Sequence, residues 1–170
     1  MIRNAGLATL LALALSGTAP ALASDAQIAH IAYTAGQIDI SAAEQALAKT
    51  KSPEVRAFAE EMARDHAAVN VQALALVKKL NVTPEANPTS TTLMQQASEE
   101  LGKLKALDGA AFDRAYIENE VAYHKFVNKA LSDTLIPGAE NAELKALLQT
   151  GLKLFQEHEH HAEHLAATIK

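Results

Sequence analysis

Three of the seven histidines in this 170-residue chain, His66, His124 and His158, stand among apolar residues rather than on a polar helix face. An imidazole buried without a partner costs about 1–3 kcal/mol, so each ring needs either a hydrogen bond or an ion. Neutral imidazole is a good ligand for Cu, Zn and Fe. Three imidazoles with one or two carboxylates suit a single ion, with Cu(II) first by raw affinity. The carboxylates that could join them are Asp39, Asp65 beside His66, and Glu120 one helical turn before His124. Each can serve as a ligand or as the acceptor that fixes a histidine tautomer. The tail His158-Glu159-His160-His161-Ala162-Glu163-His164 adds His161, three residues from His158 and therefore on a shared helical face. A histidine-rich tract reads compositionally as metal binding, and equally as a solvated face titrating near pH 6.5. A di-iron bundle centre requires two Glu-x-x-His pairs, and only Glu157-x-x-His160 is present, on a face with Lys153 and His164 that points to water. No serine–histidine–acid spacing or phosphate-cradling glycine loop is visible. The sequence therefore names no catalytic residue and no nucleotide.

The elements that must position these side chains are helices. Val55, Ala59, Met62, His66, Val69, Ala73, Leu76 and Leu80 recur at alternating spacings of four and three, the seam of a helix packed in a bundle. The same rhythm carries His124 between Val121 and Asn128, and His158 between Phe155 and Ala162. Ser24 with Gln27 predicts a capping box that opens a helix over 25–49, with Ile28, Ile31, Ala35, Ile38, Ala42 and Ala46 inward. Ser52-Pro53 opens the second helix, to about Leu80. A proline-bearing linker follows over 81–90, then a shorter helix over 92–106, a break at Asp108-Gly109, and long helices over 110–134 and 141–168. The fold class is all-α: an up-down four-helix bundle with an additional short helix between the second and third long ones. Counting at 1.5 Å per residue from the turns, His66 and His124 differ in level by about 3 Å and Asp39 lies within a turn of them. His158 sits about 9 Å out of level with His124.

Residues 1–23 have the layout of a cleaved secretory signal: Arg3, an apolar run from Leu7 to Leu15, then Ala21-Leu22-Ala23. The expected mature domain is 24–170. Only Arg3 is charged in the leader, so the 15 basic and 20 acidic residues of the chain become 14 and 20, a formal charge of −6. A mildly acidic domain without a basic cluster excludes nucleic acid and an anionic membrane surface as expected partners. No apolar run after the leader is long enough to span a bilayer, and a homo-oligomer stays open. The absence of cysteine excludes disulfides, thiolate chemistry and c-type haem attachment.

Ser52-Pro53-Glu54-Val55-Arg56-Ala57-Phe58-Ala59-Glu60-Glu61-Met62 leading to Asp65-His66 resembles the signature of the exported ferritin-like family catalogued as domain of unknown function 4142. So do Phe112-Asp113-Arg114-Ala115-Tyr116-Ile117 leading to His124, and Phe155-Gln156-Glu157-His158 with His161. The resemblance implies a ferritin-like bundle in the periplasm of a Gram-negative bacterium, with Asp65, His66, Asp113, Tyr116, His124 and His158 at motif positions and no established activity. Where the family commonly has Glu in the first helix, this chain has the shorter Asp39. Together these readings lead to a periplasmic bundle holding one transition metal through His66, His124 and His158, for metal handling or redox protection. The alternative is a metal-free envelope or stress-response bundle whose buried histidines only hydrogen-bond one another and nearby acids.

Overall fold

A computed structural model describes residues 23–169; the expected leader lies outside them, save Ala23. Five helices make up the domain, and no strand occurs among the described residues. Helix α1 spans Asp25–Lys49, α2 Pro53–Lys79, α3 Pro88–Lys105, α4 Gly109–Ala130 and α5 Ala142–Thr168.

The starts follow from the side chains that cap them. The Ser24/Gln27 box forms as read from the sequence, and Ser52 Oγ accepts from the Val55 N–H with Pro53 at the first helical position. Helix α3 begins four residues earlier than its predicted 92. Asn87 caps it with a reciprocal Asn87/Ser90 box, and Pro88 fits the first turn, so the 81–90 linker is shorter than expected.

A larger difference lies after α4. The helix does not stop at 134 but passes through one π turn, Leu131–Leu135, into a last helical turn, Ile136–Gly138. The Ile136 N–H reaches back five residues to the Leu131 carbonyl. Pro137 has no N–H to continue the ordinary ladder, and the chain widens there. Asp25 then receives the Glu140 and Asn141 N–H groups at 2.9 and 2.8 Å, which fastens the α4–α5 turn to the start of α1.

The four long helices pack in the ring order α1, α2, α5, α4, and α3 lies on α1. Their inward faces build two apolar clusters at opposite ends. One gathers Ile28, Ile31, Ala35, Val127, Leu131, Leu135, Leu144, Leu148 and Phe155. The other gathers Ala42, Ala46, Val55, Phe58, Met62, Phe112, Tyr116, Ile117, Ala162 and Leu165. Between them the apolar series of every long helix is interrupted: at Asp39 in α1, His66 in α2, Glu120 and His124 in α4, and His158 in α5. A buried polar layer thus crosses the bundle at mid-height. No helix among the described residues is long and apolar enough to cross a membrane.

Candidate metal centre

Each of the four long helices delivers at least one group to this layer. His66 is 3% exposed, and Asp39, Glu120, His124 and His158 are 1% exposed. The donor atoms of His66, His124 and His158 lie within 4.8 Å of one another, as do those of Asp39, Glu120 and His124. The three imidazole centroids form a near-equilateral triangle with sides of 5.6, 5.4 and 5.5 Å.

Two of the rings are locked by what holds their far side. His124 Nδ1 lies 3.0 Å from the Glu120 carbonyl oxygen, which can only accept, so this nitrogen carries the proton and Nε2 keeps its lone pair. His158 Nε2 lies 3.2 Å from Asp65 Oδ2. Asp65 is itself gripped by Arg64 at 2.7 and 3.0 Å, and the Arg64 guanidinium holds its carboxyl below the usual range. The His158 proton therefore sits on Nε2 and leaves the lone pair on Nδ1. Both free nitrogens, His124 Nε2 and His158 Nδ1, are buried without a hydrogen-bond partner, and so are both ring nitrogens of His66. A backbone carbonyl or carboxylate on the far nitrogen is the usual setting of a metal-bound imidazole. Phe155 stacks flat on His66, with centroids 4.5 Å apart and planes at 9°, and fixes that ring from the apolar side.

Asp39 Oδ2 lies 3.5 Å from His66 Nε2 and 3.6 Å from His124 Nε2. These separations are too long for hydrogen bonds, and burial takes the His66 pKa down to about 3 and that of His124 to about 4, so both rings are neutral near pH 7. They do match the roughly 3.3–3.6 Å between two ligands that share a tetrahedral ion at 2.0–2.2 Å. No hydrogen bond reaches the Asp39 and Glu120 carboxyls from outside the pair. Burial raises both, Glu120 well above the usual range with the Asp39 charge adding to it, so Glu120 carries a proton toward Asp39. The donor set is then three imidazoles, one buried carboxylate and a second held in reserve, which suits a divalent cation.

The structure brings together most of the residues singled out from the sequence and parts others from them. His66, His124, His158, Asp39 and Glu120 converge. Asp65 stands behind His158 rather than in the layer. His161, expected beside His158, turns outward instead: its Nδ1 meets Glu61 Oε2 at 2.7 Å, and its ring packs on Phe58. Only every third or fourth residue of α5 faces the axis, and Ala162 takes the next inward place. His160 and His164 are exposed, as read. Glu120 is fully buried. Tyr116 keeps its hydroxyl buried and unpartnered. The 9 Å offset of His158 does not occur, because α4 runs on to Gly138. Counted from there, His124 and His158 differ by three residues, about 4.5 Å of rise, which the side chains absorb.

Residues 11–165 match the sequence model of a domain of unknown function, DUF4142. The chain belongs to the DUF4142 family. In structure this DUF4142 protein is similar to a candidate secreted protein, DUF305, from Streptomyces coelicolor. The TM-score is 0.70 at 17% identity, over 85% of this chain and 92% of that one, a likeness of fold alone. A search of the curated proteins finds no match.

Sequence reasoning missed three supports of the candidate centre. Phe155 was read only as a seam residue, although its place three residues before His158 puts it one turn away on the same face. Arg64 adjoins Asp65, but nothing local in the sequence shows that this pair backs His158. Asn70, one turn beyond His66, lies against Gly36 so closely that a Cβ there would come 2.5 Å from Asn70 Oδ1. The sequence holds no sign of that approach, because it joins two helices.

Proposed function

We propose that this DUF4142 protein is a periplasmic metal-binding bundle that holds one transition-metal ion through His66, His124 and His158, with Asp39 as the fourth ligand. Its role is metal handling or redox protection in the cell envelope. What carries the reading is a convergence of buried donors with nothing to bond, His66 Nε2, His124 Nε2 and His158 Nδ1, beside the Asp39 carboxylate, which meets only the proton of Glu120. A bundle that used these histidines only for packing would pair them with one another, and apolar residues would fill the layer at lower cost. Imidazole-rich sites take Cu(II) before Zn(II) or Fe(II) by affinity, and Glu120 beside Asp39 offers a further carboxylate for an ion that asks for more than four ligands. The resemblance to an exported family and the signal-like layout of residues 1–23 support the setting in the envelope.

Titration of the mature protein with Cu(II) and with Zn(II), read by isothermal calorimetry, tests the proposal. One ion per chain bound more tightly than micromolar, and lost in His66→Ala, supports it. Binding that survives His66→Ala unchanged takes the ion out of the buried layer, and no stoichiometric binding favours the metal-free bundle.

A further inference from the structure

The donors of the centre are at most 3% exposed, and apolar clusters close the layer from above and below. An ion therefore needs a way in from the side. Between α2 and α5 one row of polar side chains leads inward with steadily falling exposure. The His161 side chain is 41% exposed, Glu61 32%, Asp65 18% and His158 1%. The donor atoms of Glu61, Asp65 and His158 lie within 4.8 Å of one another, and His161 Nδ1 is 2.7 Å from Glu61. His158 belongs to both sets. Its Nε2 faces Asp65, and its other nitrogen is buried and unpartnered.

Resting on the metal-binding reading above, we infer that His161, Glu61 and Asp65 form the entrance through which a divalent transition-metal cation reaches the buried centre, with His158 as the hand-over ligand. The two carboxylates supply negative charge at the mouth, which concentrates cations there and speeds their capture. His161 is a soft outer ligand that exchanges its Glu61 contact for the ion. Arg64 is the obstacle at the mouth. It neutralises Asp65 in the resting state through an ion pair whose guanidinium is 68% exposed, and water screens such a pair enough for it to open readily. The passing cation takes its place on Asp65. His158 then takes the ion on Nδ1, whose lone pair is free, while Nε2 keeps its proton toward Asp65, so the ion moves inward by ligand exchange with no change in oxidation state and no N–H bond broken.

Stopped-flow mixing of the mature protein with Cu(II), supplied as its weak glycine complex, tests this. The chain has three tyrosines and no tryptophan, and the Tyr123 ring lies 6.3 Å from that of His124, so quenching of tyrosine fluorescence reports filling of the centre. In the Glu61→Gln/His161→Gln double variant, which alters no group of the buried layer, uptake slows about tenfold and chelator-driven release slows equally, while the equilibrium affinity stays within twofold. A His160→Gln/His164→Gln control, which removes only exposed tail histidines, keeps the wild-type rate. An unchanged rate in the first variant, or equal slowing in the control, overturns the entrance. If the wild type takes up no Cu(II) and His66→Ala is equally silent, the reading of the centre fails, and the entrance falls with it.

Discussion

Replacing His66 by leucine should make the metal-free protein more stable, not less. His66 is 3% exposed, neutral at pH 7, and has both ring nitrogens buried without partners. Leaving buried polar atoms unsatisfied costs about 1–3 kcal/mol, and leucine removes that cost at nearly the same volume. Against this stands the face-to-face contact with Phe155 at 4.5 Å, worth about 0.5–1.5 kcal/mol beyond its buried area. The net gain is about 1 kcal/mol, or roughly 3 °C in Tm for a domain of this size. Metal reverses the order. An ion present at one hundred times its Kd adds about 2.7 kcal/mol to the wild type, roughly 8 °C, and adds nothing to a variant that cannot hold it. Differential scanning calorimetry of both proteins, in chelator and then in Zn(II), reads the two signs. If His66→Leu melts several degrees below the wild type in chelator, His66 is a bonded structural residue and the unsatisfied layer has been misread. Equal stabilisation of both proteins by Zn(II) would remove the ion from the layer.

Further outcomes follow from the same geometry. Asp65→Asn should weaken metal binding about 10- to 100-fold, measured by competition with a chelator, while leaving thermal stability within about 1 kcal/mol because Asp65 is part-exposed. Gly36→Ala should cost about 1–3 kcal/mol in denaturant unfolding, since its Cβ would meet Asn70 Oδ1 at 2.5 Å, and the added Asn70→Ala change should recover much of it. Acid should destabilise the metal-free protein through its histidines. The folded pKa values of about 3 for His66 and about 4 for His124 lie below the unfolded 6.5. Between those values the unfolded chain binds protons that the folded chain refuses, so stability is full above pH 6.5 and falls as pH drops. At pH 5 the two rings together cost about 3–4 kcal/mol. Glu120 has the opposite sign: its raised pKa gives stability at low pH that is lost as pH rises through the folded value. Urea unfolding at pH 7.5 and pH 5 should therefore show a larger acid loss in Glu120→Gln than in the wild type.

Much of the bundle is legible in the sequence because its helices are ruled by local chemistry. The Ser24/Gln27 and Ser52-Pro53 starts, and the four-three rhythm around His66, His124 and His158, depend only on neighbours a turn away. What those neighbours cannot reveal is how far a helix continues once its ladder is disturbed. The π turn before Pro137 lengthens α4, and that extension halves the offset between His158 and His124. Nor does periodicity tell which acid beside a seam turns inward. Glu120 reads no differently from Asp65 until α1 presents Asp39 to it, and His161 reads like a ligand until Glu61 of α2 draws it outward. Asp39 was reached by level rather than by face; its burial beside Ala42 and Ala43 rotates the inward stripe of α1 away from Ile38, which is only half-buried. These are tertiary pairings, and the two partners of each lie on different helices.

Electron paramagnetic resonance of the mature protein loaded with one equivalent of Cu(II) tests the central claim most directly. Coupling of the copper to three imidazole nitrogens is expected, with one nitrogen lost in each of His66→Ala, His124→Ala and His158→Ala and none lost in His160→Ala/His164→Ala. A spectrum left intact by the three core variants and altered by the tail variant would contradict a metal centre in the buried layer.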